Sequence, residues 1–229
     1  MIIGVTGLIS SGKDTAADYL IRFHGFKKLS YAGPLKDCVS AIFGWDREML
    51  EGTTQSSREW REEVDEWWAK RLNMPHLTPR WVLQYWGTEV GRRSFHNDIW
   101  VASIENQLRQ ITDNVVITDC RFKNEVDAIK NAGGTSIRIQ RGEQPTWLVD
   151  AVDYNYYQNP QALARLVDKN IHASEYSSVG LDYDHTVYND STIDELHKQM
   201  ELIVNSSVTS FPVNFFFLYN FNTVQTNCP

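Results

Sequence analysis

Near the start of the chain, Gly7-Leu8-Ile9-Ser10-Ser11-Gly12-Lys13 has the G-x-x-x-x-G-K spacing of a loop that wraps a phosphate chain. Glycines let the backbone curl so that its N–H groups point inward, and the start of the following helix adds positive potential. Lys13 then reaches the β- and γ-phosphates of a nucleoside triphosphate. An apolar run before the loop and an amphipathic stretch after it supply the strand–loop–helix context that this chemistry needs. A Ser or Thr usually follows the lysine to bind magnesium, but here Asp14 comes first and Thr15 second. A carboxylate suits Mg²⁺ directly or through water, so Asp14 and Thr15 both stand as candidate ligands. The spacing G-x-G-x-x-G is absent, which excludes a dinucleotide fingerprint.

A second group of residues reads as the acceptor side. The run VVITDCR carries Asp119 and Arg121 at its carboxyl end. There an acid orders magnesium or the acceptor, and an arginine clamps a phosphate. Lys36, Arg58 and Arg80 lie in the surrounding helical stretches and can converge on the same crevice, whereas Arg47 reads as a surface residue. Arg141 opens a polar stretch and is a candidate lid arginine. Asn189, after the last apolar run, either touches the adenine of the donor or is an ordinary turn residue. In-line phosphoryl transfer needs positioning and cancellation of charge, which Lys13, Mg²⁺ and the arginines supply. An anionic phosphate acceptor requires no general base.

The elements that must position these groups follow from periodicity. Five short apolar runs, at 2–6, 27–30, 115–119, 135–140 and 185–188, read as buried parallel strands. They alternate with helices, the pattern of an α/β sheet covered on both faces. Ala17, Leu20, Ile21 and His24 mark a helix stopped by Gly25. Pro34 opens another, with Leu35, Val39 and Ile42 on one face. Thr78 and Pro79 read as an N-cap and first turn of a helix running to about Val90. Trp100, Ile104, Leu108 and Ile111 form a further stripe, Val126 and Ile129 a shorter one. Ser191 reads as the cap of a last helix with Ile193, Leu196, Met200 and Ile203 inward. Two segments break the alternation. Residues 44–113 form a Trp-rich helical insertion, in which Trp60, Val64 and Trp67 read as one helical stripe, and residues 141–180 form a Tyr-rich lid region.

Composition narrows the classes. The 229 residues include 42% hydrophobic and 22% charged ones, with 13 Gly and 7 Pro, so the chain folds rather than remaining disordered. With 22 Lys and Arg against 29 Asp and Glu, the net charge is −7, which argues against nucleic acid as the main partner. Cys38, Cys120 and Cys228 are dispersed, as in a reducing compartment. No secretory signal or membrane span is read, so the expected location is the cytoplasm. Residues 205–229 are an uncharged, aromatic and Asn-rich tail, read either as dispensable or as a dimerisation segment, and a homodimer is left open.

As a set, these residues resemble the bacteriophage deoxynucleoside monophosphate kinases. The matching blocks are Gly7 to Thr15, Ala32-Gly33-Pro34-Leu35-Lys36, Arg80 with Gln84-x-x-Gly87-Thr88, Trp100-Val101, Asp119-x-Arg121-x-x-x-Glu125 and His172-x-x-Glu175. The resemblance spans about residues 1–204 and implies a single P-loop NTPase domain with a five-stranded parallel sheet, a helical acceptor-binding insertion and a lid. It further implies ATP as donor, Mg²⁺ as cofactor, a deoxynucleoside monophosphate as acceptor, and the host cytoplasm as location if the chain is phage-encoded. By position, Gly7, Ser10, Ser11, Gly12, Lys13, Asp14 and Thr15 would bind ATP. Lys36, Arg58, Arg80 and Arg121 would hold the acceptor phosphate and the transferred phosphoryl group. Gln84, Gly87, Thr88 and Trp100 would line the base and sugar pocket, with Asp119 and Glu125 as polar partners. The chain departs from the pattern at Trp81, where relatives can carry a second arginine, and in its shorter, Trp-richer insertion. A kinase for another small phosphorylated metabolite, of the phosphomevalonate or dephospho-coenzyme A kind, is the alternative on the same fold. A regulatory NTP switch lacks its N-K-x-D guanine reader here.

Overall fold

In the computed structural model, which describes residues 1–208, five parallel strands form one sheet in the order β2-β3-β1-β4-β5. β1 (Ile2–Thr6), β4 (Thr135–Gln140) and β5 (His185–Tyr188) have the expected limits. β2 (Lys27–Leu29) and β3 (Val115–Ile117) end earlier, because Ser30 and Asp119 leave the ladder to bond to each other. The central register pairs Gly4 with Ile117 on one side and with Ser136 on the other. Ile3 and Val5 are completely buried, as strands covered on both faces require.

Each face packs its own layer. α1 (Lys13–His24) and α12 (Ile193–Val208) cover one face, burying Ala16, Leu20, Leu196 and Met200 against Val5, Ile137 and Ile139. α7 (Ile99–Leu108) and α8 (Lys123–Asn131) cover the other, with Ile104, Val126 and Ile129 on Val115 and Ile117. The chain leaves β1 over one face and β3 over the opposite one. The crevice between their carboxyl ends is therefore the topological switch point, where ligands of such sheets bind.

The insertion is helical and has a core of its own. α2 (Gly33–Phe43), α3 (Arg47–Glu51), α4 (Gln55–Trp60), α5 (Glu66–Leu72) and α6 (Pro79–Tyr85) enclose Leu35, Val39, Trp45, Leu50, Leu77 and Val82. Thr78 caps α6 by accepting from Trp81 N at 3.1 Å. Beyond Tyr85 the chain continues as a π-helical segment, Trp86–Phe95, past the expected end near Val90. Its widened turn leaves Gly87 O to accept from Trp100 Nε1 at 2.8 Å, and a side chain at Gly91 would collide with that indole.

Four expectations fail for local reasons. Trp60, Val64 and Trp67 share no helix, because Asp65 caps α5 through Trp68 N (3.0 Å) and accepts from Trp45 Nε1 (2.7 Å), which breaks the chain between α4 and α5. Trp67 consequently lies 64% exposed. Ile42 faces solvent at the end of α2. Thr192, not Ser191, caps α12 by accepting from Glu195 N, and Ile193 points outward. α12 runs to Val208, and the remainder of the tail, with its dimerisation reading, lies outside the described residues.

Over the P-loop, α9 (Leu148–Tyr157), α10 (Pro160–Asp168) and α11 (Ala173–Tyr176) form a fourth cluster around Leu166 and Tyr176. Leu8 packs into it, so the 141–180 region rests on the loop between β1 and α1. No helix among the described residues is long and apolar enough to cross a membrane.

Candidate active site

The loop between β1 and α1 has the backbone its glycines permit. Gly7 and Gly12 adopt φ of 150° and 101°, and a β-carbon would strike Ile139 O at the first and Asn189 Nδ2 at the second. Ser10 also takes a left-handed φ of 63°. Asn189 Nδ2 donates to Ser11 O at 2.9 Å, so Asn189 braces the loop. Ser11 Oγ is buried with no hydrogen-bond partner among the described residues. Lys13 Nζ bonds to Leu8 O at 2.7 Å, folded back over the loop. Burial first, then Arg121, pushes the Lys13 pKa below the ordinary lysine value.

Asp14 is exposed and salt-bridged to Lys28 at 2.9 Å, while Thr15 is half-buried on the first turn of α1. Among the described residues no three His, Cys, Asp or Glu side chains gather to hold a metal. This donor set fits Mg²⁺, which keeps most of its waters and is ordinarily held by one or two protein oxygens together with substrate phosphates.

Asp119 locks the two strand ends together. Its carboxylate accepts from Ser30 Oγ (2.7 Å), Tyr31 N (3.0 Å) and Ala32 N (2.9 Å), fixing the β2–α2 loop against β3. From there Arg121 projects into the crevice, where Nη1 meets Glu175 Oε1 of α11 at 3.0 Å. Arg121 lies close enough to Lys13 and to Arg61 to lower the pKa of both.

Arg61, which sequence spacing did not single out, is the cation that the insertion turns inward. Burial, then Arg80, holds its pKa below the ordinary value, with Arg121 contributing further. Its Nε is buried without a partner among the described residues, and its guanidinium fills the space a side chain at Gly52 would need. Arg58, the expected residue, instead lies exposed on the carbonyls of Thr53 (3.0 Å) and Gly52 (3.4 Å). Lys36 is held by Glu51 at 2.5 Å, and Arg80 by Glu62. Arg47 also binds Glu51, so it belongs to this network and is no bystander.

The expected base-pocket residues cluster, but several are internally committed. Gly87 and Trp100 bond to each other, Thr88 is buried, and Gln84 is half-buried one turn earlier on α6. Glu125 does not line an open cleft. It is 2% exposed and ion-paired with Arg92 of the π-helical segment, another residue with no sequence signal. On the lid side, Arg141 is exposed at the edge of a cavity of about 310 Å³ that also includes Gly7, Arg138, Trp147 and Glu175. His172 caps α11 through Ser174 N at 3.2 Å, and burial pushes its pKa down.

No protein-family model matches the chain. Over 153 residues it is 36% identical to a protein of Acanthamoeba polyphaga mimivirus provisionally named deoxynucleotide monophosphate kinase, a match covering 62% of this chain and 74% of that one. It is also 26% identical to the deoxynucleoside-5'-monophosphate kinase of Escherichia phage T5, covering 57% of this chain and 72% of the phage protein. Among solved structures, shikimate kinase from Aquifex aeolicus overlaps 92% of this chain and all of its own at 13% identity and a TM-score of 0.41, a likeness too loose to bear on function. The mimivirus match, by its identity and by its reach over that protein, shows that the chain belongs to the deoxynucleoside monophosphate kinase family.

Proposed function

We propose that the chain transfers the γ-phosphoryl group of ATP to a deoxynucleoside monophosphate, producing a deoxynucleoside diphosphate for DNA synthesis. The supporting observation is the crevice at the switch point. A P-loop lysine on one side faces Arg121 across it, and Arg61 and Arg80 of the helical insertion continue the same positive field in a chain of net charge −7. These cations repel one another, the carboxylates of Glu62 and Glu175 offset only two of them, and Arg61 Nε has no partner among the described residues, so the cluster favours an added anion of high charge density. A phosphate monoester is such an anion, and family membership supports the nucleoside attached to it.

In this reading the loop N–H groups and Lys13 hold the β- and γ-phosphates. Asp14 or Thr15 would hold Mg²⁺, which would supply neutralisation of phosphate charge there. Arg61, Arg80, Lys36 and Arg121 bind the acceptor phosphate, whose oxygen attacks the γ-phosphorus in line as the bond to the β-phosphate oxygen breaks. Glu51, Glu62 and Glu175 now occupy three of these cations and give way to the acceptor. The 141–180 region acts as the lid that excludes water, with Arg141 at its base. Gln84, Thr88 and Trp100 shape the base and sugar pocket, and the working location is the cytoplasm. The test is ADP release measured with each deoxynucleoside monophosphate in turn. Release that depends on such an acceptor is expected, and equal release in its absence would overturn the reading.

A further inference from the structure

The buried pair Arg92 and Glu125 lies outside the crevice, yet it touches the backbone that presents Arg121. Glu125 Oε2 accepts from Arg121 N at 2.6 Å and Phe122 N at 3.0 Å, while Oε1 binds Arg92. Arg92 Nη1 also donates to Asn97 O at 2.9 Å and to Asn124 Oδ1 at 3.3 Å, and the guanidinium carbon stands 3.9 Å from the centroid of the Phe122 ring. Both charges are almost wholly removed from water, an arrangement that apolar side chains of similar volume often match or exceed in stability.

What apolar side chains would not give is a directed connection. Arg92 belongs to the π-helical segment that carries Gly87 and Thr88 and follows Gln84. Glu125 belongs to the first turn of α8, whose N-cap Phe122 follows Arg121. We infer that Arg92 is a positioning residue, which through Glu125 fixes the Arg121 backbone and ties the phosphate clamp to the helices of the acceptor pocket. The inference rests on the proposed phosphoryl transfer, in which Arg121 touches the migrating group and Arg92 does not.

A pH signature follows. Burial raises the Glu125 pKa to about 7, and Arg92 is the largest influence lowering it. The other groups facing the pair are Asp119 and Cys120 after β3, the Tyr31 phenol, which donates to Glu125 O at 3.0 Å, and Asp98 beside Arg92. Protonation of Glu125 weakens its hold on the Arg121 and Phe122 amides. The acid limb of kcat therefore moves to higher pH when Arg92 is removed.

The experiment compares full-length wild type, Arg92→Met, Arg92→Lys and the exposed control Arg22→Met by steady-state kinetics across pH, with ADP binding followed alongside. Arg92→Met is expected to lower kcat about 100-fold, leave ADP affinity within about twofold, and shift the acid limb upward by about one pH unit. Arg92→Lys, which keeps the charge but not the fork, should fall between. Unchanged kcat and acid limb in either folded variant would overturn the proposal, and Arg92→Lys serves that purpose if Arg92→Met does not fold. If no deoxynucleoside monophosphate supports turnover even in the wild type, the functional reading fails on its own. Hydrogen exchange at the Arg121 and Phe122 amides of the ADP-bound chain then decides the positioning role, with faster exchange in the Arg92 variants expected and wild-type protection contradicting it.

Discussion

Arg58 and Arg61 lie one helical turn apart and have opposite fates, which sets their expected effects. Arg61→Ala removes an inward, half-desolvated guanidinium and should raise the acceptor KM about 10- to 100-fold, the range of a charge-assisted hydrogen bond. Arg58→Ala removes exposed contacts to carbonyls and should change it less than about twofold. Initial-rate kinetics separates the two, and a larger effect at Arg58 would return the clamp to that residue. Lys13 gives a pH signature. Its pKa is lowered in the free chain, so its charge is lost as pH rises through that lowered value. The alkaline limb of kcat/KM is then expected below pH 10.5, the ordinary value for lysine, while kcat, measured with phosphates bound, should hold to higher pH.

Among the elements, the break between α4 and α5 is as instructive as the regular helices. Asp65 caps α5 and accepts from Trp45, so Asp65→Ala should cost about 2 kcal/mol, measured as a lower midpoint in urea. No loss would mean that the two bonds do not hold the insertion together. The P-loop, three strand limits and the Thr78 cap were legible because each depends on neighbours in sequence. Arg61 and Arg92 were not, because a gap beside Gly52 and a carboxylate on α8 give them their roles, and both contacts exist only after folding. The Trp60, Val64, Trp67 spacing misled for the converse reason, since a local cap overrode a helical period.

At the scale of the whole molecule, the sheet order β2-β3-β1-β4-β5 brings the loops after β1 and β3 to one crevice, with the insertion on one side and α9 to α11 on the other. Donor and acceptor can then meet in line between two walls that belong to different parts of the chain. The expected outcome of the reaction is that the phosphoryl group lands on a deoxynucleoside monophosphate. Its most direct test is chromatographic quantification of products after incubation with ATP, Mg²⁺ and each of these acceptors, with Arg121→Ala beside the wild type. One deoxynucleoside diphosphate formed per ADP, with the rate lost about 1,000-fold in Arg121→Ala, is the predicted result. ADP accompanied only by inorganic phosphate, or a rate unaffected by Arg121→Ala, would contradict it.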